Sequence, residues 1–247
     1  MQQRPWLCII EFMTYGDLKD VLQTCKEKGF ALNYVEQLHI VQQLTRGLVY
    51  LASKRYIHMD IAARNCLMGE NTVCKLADFG LTQQLDEGKD TYRLRKTAKL
   101  PVRWIAIEAL KTGIFDEKSD VWAFGVLIWE VLSYGKHPFA EIENAAVQGY
   151  VERGGRLGRP AGAEKDFWDA AFACWTLPKT LRPTFASLQA AFDRLEAPAR
   201  RMSAPLRDIG YRLVAKSRYA IWGKDEGSCR RLTKAMRARF IDLTPAA

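Results

Sequence analysis

Two short motifs in the first third of the chain place three oxygen-bearing side chains at fixed spacings. Residues 58–65 read HMDIAARN, and DFG follows at residues 78–80. The motifs supply the carboxylates of Asp60 and Asp78 and the carboxamide of Asn65. Mg²⁺ prefers oxygen ligands of this kind, and phosphoryl transfer asks a protein mainly for held metal and a positioned hydroxyl. The spacings are therefore suited to moving a phosphoryl group from Mg-ATP.

Further landmarks follow these motifs in a fixed order. Either motif alone is weak, because short polar triplets occur by chance and DFG alone is more often a turn. The later segments are LPVRW at 100–104, AIE at 106–108, SDVWAFG at 119–125, CW at 174–175 and RPT at 182–184. The joint pattern resembles the catalytic domain of protein kinases over about residues 6–196, and the AAR triplet at 62–64 is typical of tyrosine kinases.

The resemblance implies a role for each residue of the two motifs. Asp60 would accept or orient the proton of the substrate hydroxyl, and Arg64 would steady Asp60 and the incoming tyrosine through its fork of donors. Asn65 and Asp78 would hold Mg²⁺. The cofactors implied are therefore ATP and Mg²⁺, and the substrates are proteins that carry tyrosine.

Other positions take supporting roles by the same resemblance. A buried ion pair is expected between Glu108 and Arg182, and Asp120 is expected to hold the backbone of the His58 loop. The same resemblance gives His58 and Phe79 structural roles. Pro101 and Trp104 belong to the platform that receives the substrate peptide.

Residues 9–18, IIEFMTYGDL, resemble the hinge of a kinase nucleotide site. By this resemblance Ile10 is the gatekeeper, and the Glu11 carbonyl and the Met13 amide pair with adenine. Asp17 reaches the ribose, and Leu67 forms the floor under adenine. Taken alone, the segment is better explained as a plain buried strand at 7–12 followed by a capped helix; the downstream motifs favour the hinge.

Met59 and Gln83 are uncharged residues at positions where the tyrosine-kinase pattern has arginine, and both positions bear on Tyr92. Tyr92 occupies the position of the activating phosphotyrosine, and a phosphate there needs cationic partners to order its loop. The family supplies arginines at the positions of Met59 and Gln83. We therefore expect Tyr92 phosphorylation not to activate in the usual way, with Arg93, Arg95 or Lys96 substituting only in part. The alternative is that Tyr92 is an exposed loop tyrosine without a regulatory role.

The segment before the hinge contains no GxGxxG, and no lysine precedes Lys19. A kinase small lobe supplies both a glycine-rich loop and a strand lysine. The sequence thus predicts a hinge and large lobe over residues 1–196, inactive or nearly so alone, with a longer parent protein.

The chain predicts a mainly helical body with a few short strands, an α+β fold by family. Helices are expected from about Asp17 to Gly29 and after Asn33, and from near Lys118, Glu141, Glu164 and Thr184, with a strand pair at 66–76. The polar, aperiodic residues 81–103 are expected to form a long loop. The apolar run 121–132 is too short to cross a bilayer and predicts a buried core helix.

Most of the positive net charge lies in the C-terminal tail, residues 197–247, rather than in residues 1–196. The net charge is +9, yet residues 197–247 hold 12 of the 37 basic and 4 of the 28 acidic residues, a local balance of +8. A basic tail with interleaved aromatics can contact nucleic acid or anionic membrane, but a solvated basic face is more common. The six scattered cysteines indicate reduced thiols and a cytoplasmic setting, or the cytoplasmic side of a membrane for a receptor parent.

Two functions from different classes remain open at this point. The first is an ATP-dependent protein-tyrosine kinase that contacts protein substrates and signalling adaptors. The second is a non-catalytic kinase-like interaction module, a pseudokinase or scaffold, that binds partners through the platform near Pro101. The complete set of catalytic-loop residues favours the first function.

Overall fold

The computed structural model describes residues 10–94 and 101–196, so the predicted tail at 197–247 lies outside the described residues. Helices dominate this part of the chain, which confirms the predicted fold class. They are α1 (Leu18–Glu27), α2 (Tyr34–Ser53), α3 (Ile107–Thr112), α4 (Glu117–Leu132), α5 (Asn144–Glu152), α6 (Lys165–Ala173) and α7 (residues 185–196). No helix within the described ranges has both the length and the apolar character required to span a bilayer.

Local capping sets where the first two helices begin and end. The Asp17 carboxylate accepts a hydrogen bond from the Asp20 amide (3.0 Å), and the chain leaves α1 at Gly29, whose φ of +72° suits a residue without a Cβ. Asn33 and Glu36 form the predicted capping box at the start of α2. The apolar face of α2 is buried at Leu38, Val41, Leu44 and Leu48.

Helix α4 is the centre of the core. It begins at a capping box between Asp116 and Ser119, and it is apolar on nearly every side, as expected of a helix surrounded by other elements. It packs on α2 and α6. A Cβ added at Gly125 would lie 2.7 Å from the Cys174 Cβ, so the close approach of α4 to the end of α6 requires glycine there.

Within residues 10–94 and 101–196, three short antiparallel strand pairs accompany the helices. They are β1 (Tyr56–Ile57) with β4 (Gln83–Gln84), β2 (Cys66–Met68) with β3 (Cys74–Leu76), and β5 (Tyr92–Arg93) with β6 (Ile114–Phe115). The β2–β3 hairpin was predicted and joins the two motif segments. Cys66 pairs with Leu76, so the chain leaving Asn65 and the chain entering Asp78 run side by side.

Several sequence predictions need correction. The long loop at 81–103 is interrupted by β4 and β5, which are too short to show a period of two. Helix α3 was missed because six residues give no helical period, and α5 begins at Asn144 rather than near Glu141. The described part of the predicted strand at 7–12 is neither paired nor buried: Ile10 is 75% exposed and Phe12 is 69% exposed.

The predicted ion pair between Glu108 and Arg182 is present. The guanidinium of Arg182 is fully buried and contacts both carboxylate oxygens of Glu108, at 2.5 and 2.9 Å. It also donates to the Thr176 carbonyl and lies 4.8 Å from the centre of the Trp122 ring. The Glu108 side chain is 24% exposed, so the pair is buried on the arginine side only.

Replacing Glu108 by Ala should leave the Arg182 charge buried without its carboxylate. Removal of one partner from a buried pair costs about 3–5 kcal/mol, and the partial exposure of Glu108 places the expected loss near the lower end. Urea unfolding measures it. Lys165→Ala, which removes the exposed pair with Asp169, is the control and should leave the unfolding midpoint unchanged. If Glu108→Ala and Lys165→Ala gave equal unfolding midpoints, the stabilising role of the Glu108–Arg182 ion pair would be contradicted.

Candidate functional site

The His58 loop is fixed to helix α4 through its backbone. One carboxylate oxygen of Asp120 accepts the His58 amide (2.6 Å) and the other accepts the Met59 amide (2.9 Å). Met59 has a φ of +65°, a conformation that costs energy for a residue with a Cβ. The two hydrogen bonds from Asp120 hold this turn in place. The predicted contact between Asp120 and the loop is therefore present.

Helix α4 carries a second buried carboxylate beside the same loop. One oxygen of Glu130 accepts the Ala63 amide and the Trp104 indole N–H, both at 2.9 Å. Burial raises the pKa of Asp120 to about 7 and that of Glu130 to about 7, although the N–H donors of each stabilise the charged form. The loop thus lies between two carboxylates of one helix.

The side chains of Asp60, Arg64 and Asn65 are brought together by a tight turn. Residues Ala63–Asn65 form a single 3₁₀ turn, which brings Arg64 back onto Asp60. The Arg64 guanidinium forms an ion pair with the Asp60 carboxylate, whose side chain is 16% exposed. The Asn65 amide nitrogen donates to the Asp60 carbonyl (2.8 Å), which leaves the side-chain oxygen for another partner. These contacts fix the direction of all three side chains.

The DFG segment is tied to the loop by His58. The His58 ring donates through Nε2 to the Ala77 carbonyl (3.2 Å) and lies 5.3 Å from the Phe79 ring. Burial lowers the pKa of His58, so the neutral ring with Nε2–H is the expected form. Asp78 follows in a left-handed conformation, with φ of +56°, and its carboxylate accepts the Gly80 amide at 3.3 Å. Its carboxylate is exposed next to the loop.

Asn65 and Asp78 offer an amide oxygen and a carboxylate to a magnesium ion. No group of three or more His, Cys, Asp or Glu side chains in the described ranges forms a metal cage. Mg²⁺ is usually held by one or two carboxylates together with substrate phosphates and water. An amide oxygen and an exposed carboxylate on adjoining segments fit that requirement.

The hinge residues fall into two groups. The Tyr15 amide donates to the Met68 carbonyl (2.9 Å), and Asp17 bridges to Leu67, so the end of the hinge lies against β2. In contrast, the Glu11 side chain pairs with Lys75 at the surface, and Ile10 is largely exposed. Ile10 therefore lines no enclosed pocket within the described part of the chain. The Asp17 carboxylate is engaged as the cap of α1.

The predicted platform residues line a cavity of about 400 Å³. Its walls are Pro101, Val102, Arg103, Trp104, His137, Asn144 and Ala145. Arg103 secures the far wall by donating to the carbonyls of Pro138 and Ile142. Arg64 lies over the Trp104 ring, 4.6 Å from its centre, which places the cavity next to the Asp60 pair.

Sequence reasoning missed Glu130 and the role of the Trp104 indole. The available signal was one acidic residue inside the apolar run 121–132, where an unpaired charge would be costly. Nothing in the local sequence identifies its partners, because they lie 67 and 26 residues away along the chain.

Comparison with known proteins assigns the chain to a family. The sequence profile described as "Protein tyrosine and serine/threonine kinase" matches residues 1–192. Tyrosine-protein kinase Abl of Drosophila melanogaster is 40% identical over 194 residues, which are 78% of this chain and 12% of the relative. The receptor TYRO3 of Gallus gallus is 40% identical over 191 residues (76% and 22%), and human tyrosine-protein kinase FRK is 38% identical over 186 residues (75% and 36%).

The chain therefore belongs to the protein kinase family, with named tyrosine kinases among its relatives. It spans between about an eighth and about a third of the length of these relatives.

The buried Asp120 makes stability depend on pH. Its folded-state pKa lies above the ordinary value of 3.8. The folded protein therefore binds this proton more tightly, and the resulting stability is present below about pH 4 and lost as pH rises through about 7. Asp120→Asn should reduce the fall in unfolding free energy between pH 4 and 7. Because it also removes one acceptor for a buried N–H group, it should lower the free energy of unfolding by about 1–3 kcal/mol. Urea unfolding across that range tests both effects, and an unchanged pH slope would contradict the account.

Proposed function

We propose that residues 10–196 form the substrate-binding and metal-binding part of an ATP-dependent protein-tyrosine kinase. The observation that carries the proposal is the Asp60 carboxylate, held by its ion pair with Arg64 next to the platform cavity, while Asn65 donates to the Asp60 main-chain carbonyl. A general base must be directed at the proton that it takes, and here the ion pair with Arg64 holds the carboxylate in one direction. The family match and the names of the relatives support the same reaction.

In the proposed reaction, Asp60 accepts the proton of the substrate tyrosine hydroxyl. The tyrosine oxygen forms a bond to the γ-phosphorus of ATP as the bond to the β–γ bridging oxygen breaks, and ADP leaves. Arg64 holds Asp60 through its ion pair while its guanidinium rests on Trp104. The platform at Pro101 and Trp104 presents the peptide from the adjoining cavity.

Asn65 and Asp78 would hold Mg²⁺, which supplies positive charge to the phosphate oxygens when bound. Their positions are set by separate contacts: Asn65 by its bond to the Asp60 carbonyl, and Asp78 by its bond to the Gly80 amide. The His58 ring links the two segments through the Ala77 carbonyl.

The hinge would receive adenine above Leu67, with the Glu11 carbonyl and the Met13 amide as its hydrogen-bonding groups. Among the described residues, no acceptor pairs with the Met13 amide. Ile10, Phe12 and Phe79 expose 75%, 69% and 50% of their surface. An apolar surface beside a nucleotide site is what a covering small lobe and a bound base would bury.

Replacement of Asp60 by Asn should lower phosphoryl transfer roughly 10²- to 10⁴-fold, the usual contribution of a general base, with nucleotide binding retained. The assay measures transfer of ³²P from labelled ATP to a tyrosine-containing peptide by the natively expressed protein. Asp86→Asn, which alters an exposed loop carboxylate, is the control and should keep wild-type activity. Peptide binding without any transfer by the wild-type protein would instead favour a non-catalytic interaction module.

We also propose that the Tyr92 segment lacks the usual phosphate clamp. Met59 is 4% exposed and lines, with Phe115 and Ala123, a cavity of about 10 Å³, barely the volume for one water molecule. Tyr92 pairs through its backbone with Phe115. Arg93, a nearby cation, donates to the Thr112 carbonyl (3.1 Å) and is already engaged. The uncharged Met59 side chain, at the position where the family has arginine, therefore supports the proposal that a phosphate on Tyr92 lacks its usual cation.

Phosphorylation of Tyr92 should therefore change the transfer rate by less than about twofold, because new charge-assisted bonds are needed to order such a loop. Rates of the native protein with and without Tyr92 phosphate, and of Tyr92→Phe, provide the comparison. Met59→Arg is the matched variant and should make the rate respond to phosphate. A large activation of the unaltered protein would refute the proposal.

A further inference from the structure

Glu130 is the one acidic residue in the apolar run 121–132 of helix α4. It is 1% exposed, and its Oε2 accepts two N–H groups from separate parts of the site. One belongs to the Ala63 backbone of the catalytic loop, and the other belongs to the Trp104 side chain of the platform. A single buried oxygen therefore joins the loop to the peptide-binding surface.

Trp104 connects this oxygen to the catalytic carboxylate. Its ring lies under the guanidinium of Arg64, at 4.6 Å from the ring centre, in cation–π geometry. The edge of the His137 ring packs on it at 5.5 Å. Since Arg64 pairs with Asp60, the contacts run without a gap from Glu130 through Trp104 and Arg64 to Asp60.

Stability alone gives little reason for a carboxylate at this position. Burying a charge is costly, and replacing buried charged groups by well-packed apolar residues is often neutral or stabilising. Nearly all other positions of the α4 core are apolar. The distinctive property of Glu130 is that it fixes the orientation of the Trp104 ring relative to the catalytic loop.

We propose that Glu130 is a positioning residue that aligns Arg64, and through it Asp60, with the peptide platform by orienting Trp104. The inference rests on the proposed kinase function and assigns to it a residue outside the two catalytic motifs. Trp104 also lines the platform cavity, so a peptide bound there would contact it, and the same contacts would make the alignment of Asp60 sensitive to whether the platform is filled.

Two substitutions separate alignment from packing. Glu130→Leu removes the acceptor and strands two buried N–H groups, whereas Glu130→Gln retains a carbonyl oxygen of similar position. Misplacing a catalytic group by about 1 Å can cost up to roughly 10²-fold, so Glu130→Leu should lower kcat at least about tenfold with KM for ATP unchanged. Glu130→Gln should stay within about threefold of wild type, because its amide oxygen can accept both bonds.

Gln42→Leu controls for lost stability. Gln42 is buried, and its amide donates to the Phe192 carbonyl (3.3 Å), away from the catalytic loop. This variant should lose stability while kcat per folded molecule stays at the wild-type value. If Glu130→Leu also retained the wild-type kcat, the proposal would be overturned.

A second measurement does not depend on activity. In ¹⁵N-labelled protein, the Arg64 Nε–H signal, identified by its loss in Arg64→Lys, should shift in Glu130→Leu and Trp104→Phe and stay in place in Gln42→Leu. If the wild-type protein transfers no phosphate, the proposed function fails. A shift of the Arg64 Nε–H signal in Glu130→Leu would still support the alignment of Arg64 through Trp104. An Arg64 signal unmoved by Glu130→Leu would overturn the alignment even in an active enzyme. Trp104→Phe supplies the same test should Glu130→Leu not fold.

Discussion

The structure depends on buried carboxylates of helix α4 that accept backbone N–H groups of the catalytic loop. Asp120 takes the amides of His58 and Met59, and Glu130 takes the amide of Ala63. Burial makes both carboxylates costly, which is why each has a pKa raised to about 7. Because the donors are backbone groups, the loop conformation is held independently of the side chains that perform chemistry. A left-handed Met59 and a tight turn at Ala63–Asn65 are the result.

This anchoring explains how a short, irregular loop can carry a precise site. Arg64 pairs with the Asp60 carboxylate and Asn65 donates to the Asp60 carbonyl, on a backbone that is itself hydrogen-bonded to α4. The DFG segment is held beside the loop by the β2–β3 hairpin and by the His58 ring, so Asn65 and Asp78, the residues proposed to hold the metal, lie on adjoining segments. The platform is attached through Trp104. The His58 loop and Trp104 therefore share one support, the core helix that the apolar run 121–132 identifies.

Much of this arrangement could be predicted from the sequence, and the exceptions have physical causes. Helices α1 and α2 follow from caps and periodic apolar residues, and α4 follows from its continuous apolar run, all of which are local signals. The contact of Asp120 with the His58 loop and the pairing of Glu108 with Arg182 were predicted only through the family resemblance, since they join residues more than 60 positions apart. Two-residue strands and the six-residue α3 carry no period to detect. Glu130 was missed because one charge in an apolar run shows that a partner exists without naming it.

The central claim is that backbone hydrogen bonds to α4 hold the catalytic loop. Amide hydrogen exchange of the native protein at His58, Met59 and Ala63 tests it most directly. The account predicts that these three amides, although they lie in a loop, exchange as slowly as amides in the middle of α4, because their release requires opening of the core. Exchange at rates close to those of the exposed Asp86–Asp90 segment would contradict it.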